Sequence, residues 1–372
     1  MTSPRWGRDL VDDARAVVVP WLTARGLMLM GFIVAVAVSD RLTPGSRPVT
    51  LGEGLSAWDG TWYRDIASQG YASLPDEGLR FFPLFPLLGK VLSVVSFGRT
   101  DLALILLANV ASFALAIGIR RLVRFERGSV VLADRAVWVT CLFPAAFVLS
   151  WAYAEALWLL FVVIAFWAMR SRRWWWVVGA GLVAGLTRPL GIALAVPVAI
   201  ELVRVWKSAS TTERVTGALA AASPAIGTGI YMLWVSRNFG DAFLPFTVQS
   251  PLRGDSVDPV SRIFDGLSQM FGAERFGDGL HIPFAIGFVI LLALTFRWWP
   301  VSYGAFASVV LVAALAAENL NSLERYGLNA FPIALTFAVL LKREQYERVA
   351  LLGLAGGMVA LSALAWTGAY VP

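Results

Sequence analysis

Residues 21–38 of the 372-residue chain are WLTARGLMLMGFIVAVAV, an apolar run interrupted by one charge, Arg25. A transmembrane helix needs about 20 predominantly apolar residues, with a range of about 17–25. The run follows a charged N-terminal segment, as in a signal sequence, but no small-x-small cleavage site ends it. The sequence therefore predicts a retained first membrane helix.

The composition extends this prediction to the whole chain. Hydrophobic residues make up 58% of the sequence, charged residues make up 15%, and the mean hydropathy is +0.68. Soluble domains have about 45–50% apolar and about 25% charged residues. Sixteen tryptophans, many beside charges as in RRWWWVV (172–178), suit the interfacial belt of a membrane protein. The composition indicates an integral membrane protein.

Rare residue types and the charge exclude several other classes. The single cysteine, Cys141, excludes an internal disulfide and is predicted to be a small core residue. The single histidine, His281, excludes a multi-histidine metal site. The net charge is +6, but the basic residues form no run that suggests nucleic-acid binding, so no nucleic-acid partner is predicted.

Eleven apolar segments predict an all-α, polytopic membrane bundle of about ten or eleven transmembrane helices. They are residues 21–38, 101–119, 135–150, 155–169, 174–187, 190–206, 215–236, 283–297, 300–317, 327–341 and 348–367. Basic loops stay in the cytoplasm, and this rule places the N-terminus, Arg25 and the arginines between 120 and 135 inside. The rule holds only if residues 81–97, FFPLFPLLGKVLSVVSF, enter and leave on the outer side.

The predicted topology leaves two large outer segments, at about 40–100 and 237–282. Both have too few polar residues for independent domains, so we expect both to lie along the membrane surface, with amphipathic helices in the first. The chain is therefore predicted to be one integral membrane domain over residues 1–372, with no internal repeat.

The segment AWDGTWYRDIASQGY, residues 57–71, carries the first candidate catalytic group. Trp58 and Asp59 open a stretch with helical spacing of its aromatic residues. Asp59 has two interpretations: an N-cap that starts an amphipathic helix, or a general base that takes a proton from a sugar hydroxyl at the membrane boundary.

Three further charged residues stand in apolar surroundings on the predicted outer side. Arg80 precedes the phenylalanines of GLRFFPLFPLL and is either a snorkelling side chain or a ligand for phosphate oxygens. Glu155 opens a predicted span, where a carboxylate needs a partner or simply suits a helix start. Arg188 either has a function or marks the turn between two short helices.

The remaining candidates also fall on the outer side. Asp241 follows Gly240 in an ordinary turn pattern. Arg325 and Tyr326 lie at the outer mouth of a late helix, where a lipid phosphate could bind, although Glu324 could simply neutralise Arg325. His281 is either a structural or a catalytic interfacial residue. An acid-and-arginine site on one face suggests chemistry on a lipid-linked anion.

Six motifs, in this order, resemble the PIG-V-like mannosyltransferases, that is the GPI mannosyltransferase 2 family and its bacterial relatives. They are WDGTWYRDIASQGY, FFPLFPLL, SWAYAEALW, LTRPLG, FGDAFLPF and SLERYGLNAFP, between about residues 57 and 332. The first two together are fairly specific, and the others support them. The chain's length and arginine-rich composition favour a bacterial member without a GPI acceptor.

The resemblance implies a GT-C fold with the active site on the non-cytoplasmic face of the cell membrane. It implies an inverting transfer of a mannosyl or related unit from a polyprenyl-phosphate donor to a lipid or glycan acceptor of the cell envelope. Asp59 is then the base, and Arg325, followed by Arg80 or Arg188, binds the donor phosphate. Trp58, Glu155, Asp241, Tyr326 and His281 are further candidates for substrate binding. No metal ligand is predicted, although a divalent cation is compatible with such a site.

Two other classes of function stay open at this stage. A transporter or flippase of lipid-linked sugars should show paired halves with broken helices at the midplane. A non-catalytic subunit of a membrane assembly should tolerate Asp59→Asn.

Overall fold

The computed structural model describes residues 6–42, 45, 47–249, 254, 256–272 and 277–372. Over these residues the chain forms α-helices and short 3-10 helices and no β-strand, which confirms the predicted all-α membrane bundle. The 17 α-helices of these ranges are α1 Trp6–Leu42, α2 Val49–Glu53, α3 Asp59–Gln69, α4 Leu84–Ser93, α5 Thr100–Arg127, α6 Val130–Leu142, α7 Glu155–Arg170, α8 Trp174–Thr187, α9 Ala195–Val205, α10 Thr211–Phe239, α11 Leu244–Thr247, α12 Pro259–Gln269, α13 Ile282–Trp298, α14 Val301–Leu315, α15 Leu323–Asn329, α16 Phe331–Leu340 and α17 Glu344–Trp366.

Six of the described helical stretches are long and apolar enough to cross a membrane, which indicates a multi-pass membrane protein. They are Leu10–Arg41, Thr100–Arg127, Pro189–Ser208, Thr211–Phe239, Asp278–Trp298 and Glu344–Trp366. The other predicted spans form shorter helices. Residues 81–97 contain only the ten-residue helix α4, which at 1.5 Å per residue is about 15 Å long, or half the hydrocarbon core. Helix α4 alone is therefore too short to cross.

Two predicted spans are interrupted. The span predicted at 135–150 ends as a helix at Leu142, before Pro144, and continues as a 3-10 turn, Ala146–Leu149. The Arg25 guanidinium donates to the Leu149 carbonyl, and the Asn109 amide donates to the Ser150 carbonyl. These polar side chains satisfy backbone that the broken helix leaves unpaired. The second interruption divides residues 327–341 into α15 and α16 at Ala330.

The sequence prediction for Arg25 is wrong. Helices α1 and α5 run antiparallel, because Asp13 binds Arg120 while Trp21 binds Ser112. Arg25 lies between these helices in the middle of the Leu10–Arg41 span, and not at its inner end. Its positive charge made it resemble an inner-side residue, but its partners are Asn109, Ser112 and the Leu149 carbonyl.

Two clusters of charged side chains lie at opposite ends of α7. Arg170, near its C-terminal end, binds Glu126 and Glu201, whereas Glu155, its first residue, binds Arg188 and Arg325. Sixteen helical residues separate the two clusters by about 24 Å. The sequence placed these two groups of residues on opposite sides of the membrane, and which side is cytoplasmic remains a prediction.

The first predicted outer segment folds back onto the bundle. The Tyr71 hydroxyl donates to the Phe81 carbonyl, and the Tyr231 hydroxyl of α10 donates to the Leu79 carbonyl. These bonds fix the 3-10 turn Asp76–Arg80 against α10. Parts of the two outer segments, at 43–44, 46, 250–253, 255 and 273–276, lie outside the described residues. The single-domain assignment over 1–372 stays a prediction.

Helices α8 and α10 cross at backbone contact. A Cβ atom added to Gly185 would stand 2.1 Å from the Pro224 carbonyl oxygen, and one added to Gly227 would stand 2.5 Å from the Leu182 carbonyl oxygen. Small residues allow such close approach between membrane helices. Gly185 lies three residues before Arg188, so the crossing holds the end of α8 that precedes Arg188 against α10.

Candidate active site

Asp59 is the first residue of α3, and its position is fixed from both sides. Trp58 has a left-handed backbone, with φ 57°, and its indole N–H donates to the Ala365 carbonyl of α17 at 2.9 Å. The Asp59 backbone N–H donates to the Tyr153 hydroxyl at 3.3 Å. The helix is capped at Trp58 without a side-chain bond, so the N-cap interpretation of Asp59 is wrong.

The Asp59 carboxylate binds Arg325 of α15. One nitrogen, Nη1, lies 2.5 Å from Asp59 Oδ2 and 3.2 Å from Glu155 Oε1. Arg325 therefore bridges two carboxylates that come from α3 and α7. The Arg325 guanidinium also lies 5.6 Å from the ring centre of Tyr153, within the range of a cation–π interaction.

Glu155 has a second cationic partner in Arg188. The Arg188 residue follows α8, and its Nη1 lies 2.7 Å from Glu155 Oε1. The Glu155 side chain is 2% exposed, so these two arginines, and not solvent, are its polar surroundings. Arg188 also faces the ring of Trp158 at 5.7 Å. Arg188 therefore lies at the turn that follows α8 and also belongs to the charged cluster.

Arg80 approaches Asp59 more loosely. Its Nη2 lies 4.0 Å from Asp59 Oδ1, and its guanidinium stacks on the Phe81 ring at 4.7 Å. The side chain is 22% exposed. Of the three arginines, Arg80 is therefore the most accessible to a ligand that arrives from outside the cluster.

The cluster formed by Asp59, Arg80, Glu155, Arg188 and Arg325 carries one positive charge in excess, because three guanidiniums face two carboxylates. Burial raises the pKa of the Asp59 carboxyl, but Arg325, Arg80 and Arg188 outweigh it and hold that pKa below its ordinary value. Asp59 lies outside the six apolar spans. It is therefore ionised near neutral pH, and the cluster can attract an anion.

The other predicted site residues occupy different surroundings. Asp241 is exposed, and its carboxylate accepts a hydrogen bond from the Phe243 backbone N–H at 2.8 Å, which is a local turn contact. His281 is buried, with Nδ1 2.9 Å from both Glu324 oxygens. Tyr326 is partly buried and packs against the apolar core beside Arg325. Trp58 uses its indole N–H to anchor α3.

The sequence prediction missed several members of the surroundings. Tyr153 and Trp158 lie within the quoted motif SWAYAEALW, but their apolar neighbours make them resemble ordinary core residues. Tyr370 donates to Glu324 at 3.0 Å and is far from every quoted motif. Within the described ranges, no three His, Cys, Asp or Glu side chains form a group that could hold a metal ion.

These features define a class: a multi-pass, all-α membrane protein with a partly buried acid-and-arginine cluster at one end of its bundle. Residues 32–214 match the family model described as mannosyltransferase (PIG-V). This match confirms the resemblance of the motifs to the PIG-V-like mannosyltransferases over residues 32–214. The match includes Asp59, Arg80, Glu155 and Arg188, and it ends before Arg325.

The match supports a mannosyltransferase activity, and with it a sugar donor and an acceptor, while the apolar helices imply contact with lipid. No curated protein matches the chain.

Proposed function

We propose that the protein transfers a mannosyl unit from a polyprenyl-phosphate donor to a hydroxyl acceptor, with inversion, on the extracytoplasmic face of the cell membrane. In this proposal Asp59 is the general base, and Arg325, with Arg80 and Arg188, binds the donor phosphate. The observation that supports it best is the bridge from Arg325 to both Asp59 and Glu155 inside a cluster with one excess positive charge.

The charge of the cluster suits this donor. A sugar joined to a polyprenol through one phosphate is a phosphodiester with a single negative charge, which equals the excess charge of the cluster. When the bond to the sugar breaks, the leaving phosphate gains a second negative charge. Guanidinium groups stabilise such charge through paired N–H donors. Arg188 and Arg325 are both paired with Glu155. They can therefore stay in the cluster before the donor binds without leaving a buried charge unpaired.

The Asp59 carboxylate is a weak base until the donor binds. An aspartate paired with arginine at 2.5 Å is a weak base, because its pKa lies below the ordinary value. A donor phosphate competes for the same Arg325 nitrogen and thereby releases Asp59. The acceptor hydroxyl then gives its proton to Asp59, its oxygen forms a bond to the anomeric carbon, and the bond from that carbon to the phosphate oxygen breaks. Polyprenyl phosphate leaves with the electron pair.

Asp59→Asn tests the proposal in lipid vesicles that contain the full chain, radiolabelled polyprenyl-phosphate mannose and a hydroxyl-bearing lipid acceptor. We expect transfer to fall about 10²–10⁴-fold, which is the usual cost of removing a well-placed base. Asp65→Asn is the matched control: Asp65 lies on the same helix and pairs with its neighbour Arg64 at 2.9 Å, so its change should leave transfer intact. Full activity of Asp59→Asn would remove Asp59 as the base, and movement of the intact donor across the vesicle without sugar transfer would favour a flippase.

A further inference from the structure

Asn329 is a buried amide without a partner, one helical turn from the charged cluster. It follows Arg325 by four residues on α15, so the two side chains lie on the same face of that helix. Asn329 is 0% exposed, and neither its amide nitrogen nor its amide oxygen has a hydrogen-bond partner. An asparagine amide offers two donors and an acceptor, so the whole hydrogen-bonding capacity of this group is unused.

Trp158 provides a second unpartnered group at the same end of the bundle. It follows Glu155 by three residues on α7, is 0% exposed, and lies against the Arg188 guanidinium. Its indole N–H lacks a hydrogen-bond partner. Nitrogen and oxygen atoms of the cluster itself, Arg325 Nε, Arg188 Nη1 and Glu155 Oε1, also lack hydrogen bonds of good geometry, although the last two form an ion pair.

Such a group of unpartnered atoms requires an explanation, because buried polar groups are almost always hydrogen-bonded. A sugar ring carries several hydroxyls, each of which can donate and accept. Asn329 can pair with two neighbouring hydroxyls at once, and the Trp158 N–H can donate to a third. Asn329 and Trp158 each stand one helical turn from Arg325 and Glu155, and those two charged side chains lie 3.2 Å apart, so both unpartnered groups lie beside the predicted phosphate site.

We propose that Asn329 and Trp158 form a hydroxyl-binding subsite that recognises the sugar ring of the donor and so determines which sugar is transferred. This inference rests on the proposed function, in which the neighbouring arginines hold the donor phosphate. A site built to pair with substrate hydroxyls discriminates strongly against analogues that lack them, since its own polar groups are then left unpaired.

The experiment measures kcat/KM for the full chain in lipid vesicles, using a short-chain polyprenyl-phosphate mannose and the analogues that each lack one ring hydroxyl. Asn329→Leu removes the amide at similar volume, and Trp158→Phe removes the N–H while it keeps an aromatic ring. The control is Trp299→Phe: the Trp299 N–H is also buried and unpartnered, but Trp299 contacts Arg127 at the opposite end of the bundle.

We expect Asn329→Leu to lower kcat/KM for the complete donor about 10- to 100-fold and Trp158→Phe to lower it about 10-fold, as the loss of one or two hydrogen bonds implies. For the analogue that lacks the hydroxyl in question, each loss should largely disappear. Trp299→Phe should behave as wild type with every donor.

An equal loss of kcat/KM with every donor, or no loss, would overturn the inference. An amide that is only structural, or that binds only water, would not distinguish donors by their hydroxyls. If Asn329→Leu does not fold, Trp158→Phe decides alone by the same comparison. The proposed function fails separately: the wild-type protein would then transfer no sugar from any of these donors.

Discussion

Arg325 and Asp59 lie 266 residues apart in sequence, and one nitrogen of the arginine stands 2.5 Å from a carboxylate oxygen of the aspartate. The same nitrogen is 3.2 Å from Glu155. The loss of any one of these three side chains therefore changes the charge balance around the other two.

Arg325→Ala should lower the stability of the protein. The change leaves the buried Glu155 with one cationic partner instead of two, and we expect a loss of about 1.5–3 kcal/mol, which is typical of a hydrogen bond to a charged group. Thermal unfolding in detergent measures it. Arg64→Ala removes an arginine whose ion pair with Asp65 is about one-third exposed, and it should cost less than about 1 kcal/mol. Adding Glu155→Gln to Arg325→Ala should restore part of the loss, because the buried carboxylate is then removed. Equal melting temperatures for Arg325→Ala and Arg64→Ala would contradict the network.

The pH dependence of stability should report the Asp59 ion pair. The arginines lower the pKa of Asp59 in the folded protein, so the pair stabilises the fold fully above the unfolded pKa of about 3.9. That stability is lost as pH falls through the lower, folded pKa. The melting temperature of wild type minus that of Asp59→Asn should therefore be constant from about pH 8 to 5 and shrink below about pH 4. A difference that grows on acidification would mean that the pKa is raised instead.

The crossing of α8 and α10 predicts unequal effects for two glycines of the same helix. Gly185→Ala places a methyl group against the Pro224 backbone and should destabilise by about 1–3 kcal/mol, as overpacking does. A Cβ atom added to Gly179 would have no neighbour within 4 Å. Gly179→Ala should therefore be neutral or stabilising, because alanine favours the helix over glycine by up to about 1 kcal/mol. Melting temperatures of the two variants in detergent test this. Similar melting temperatures for the two variants would show that the helices separate easily. Because Arg188 follows the displaced end of α8, transfer activity should also fall in the Gly185→Ala variant.

Cysteine labelling of intact cells should decide which end of the bundle faces outward. In a Cys141→Ala background, Gln69→Cys places a thiol on an exposed residue at the end of α3, and Lys207→Cys places one on an exposed residue at the opposite end. The predicted topology requires an impermeant maleimide to label residue 69 in intact cells and residue 207 only after lysis. The reverse pattern would put the candidate active site in the cytoplasm.

Elements bounded by strong local signals could be predicted from sequence. Helices α7 and α8 occur at 155–170 and 174–187, almost as predicted, because Ser171–Arg173 and the Arg188–Pro189 pair interrupt the apolar pattern. Asp59, Glu155, Arg188 and Arg325 stood out for a related reason: a charge in an apolar chain needs a partner, and the fold brings these four together.

The unpredicted features depend on contacts between distant segments. The hydropathy of 135–150 does not reveal that the helix ends at Leu142, since Arg25 and Asn109 of other helices satisfy the freed carbonyls. Asn329 is a small polar residue in an apolar run, and only its position one turn from Arg325 gives it significance. Asp241 resembled the other acids, but a local turn contact accounts for it.

The anchor between Trp58 and the Ala365 carbonyl has a consequence for biosynthesis. Ribosomes deliver residue 58 to the bilayer long before residues 325 and 365, so the early intermediate holds Asp59 without Arg325 and with α3 not yet anchored to α17. The charged cluster can therefore be completed only after α15 and α17 have been synthesised, which makes its assembly one of the last steps of folding.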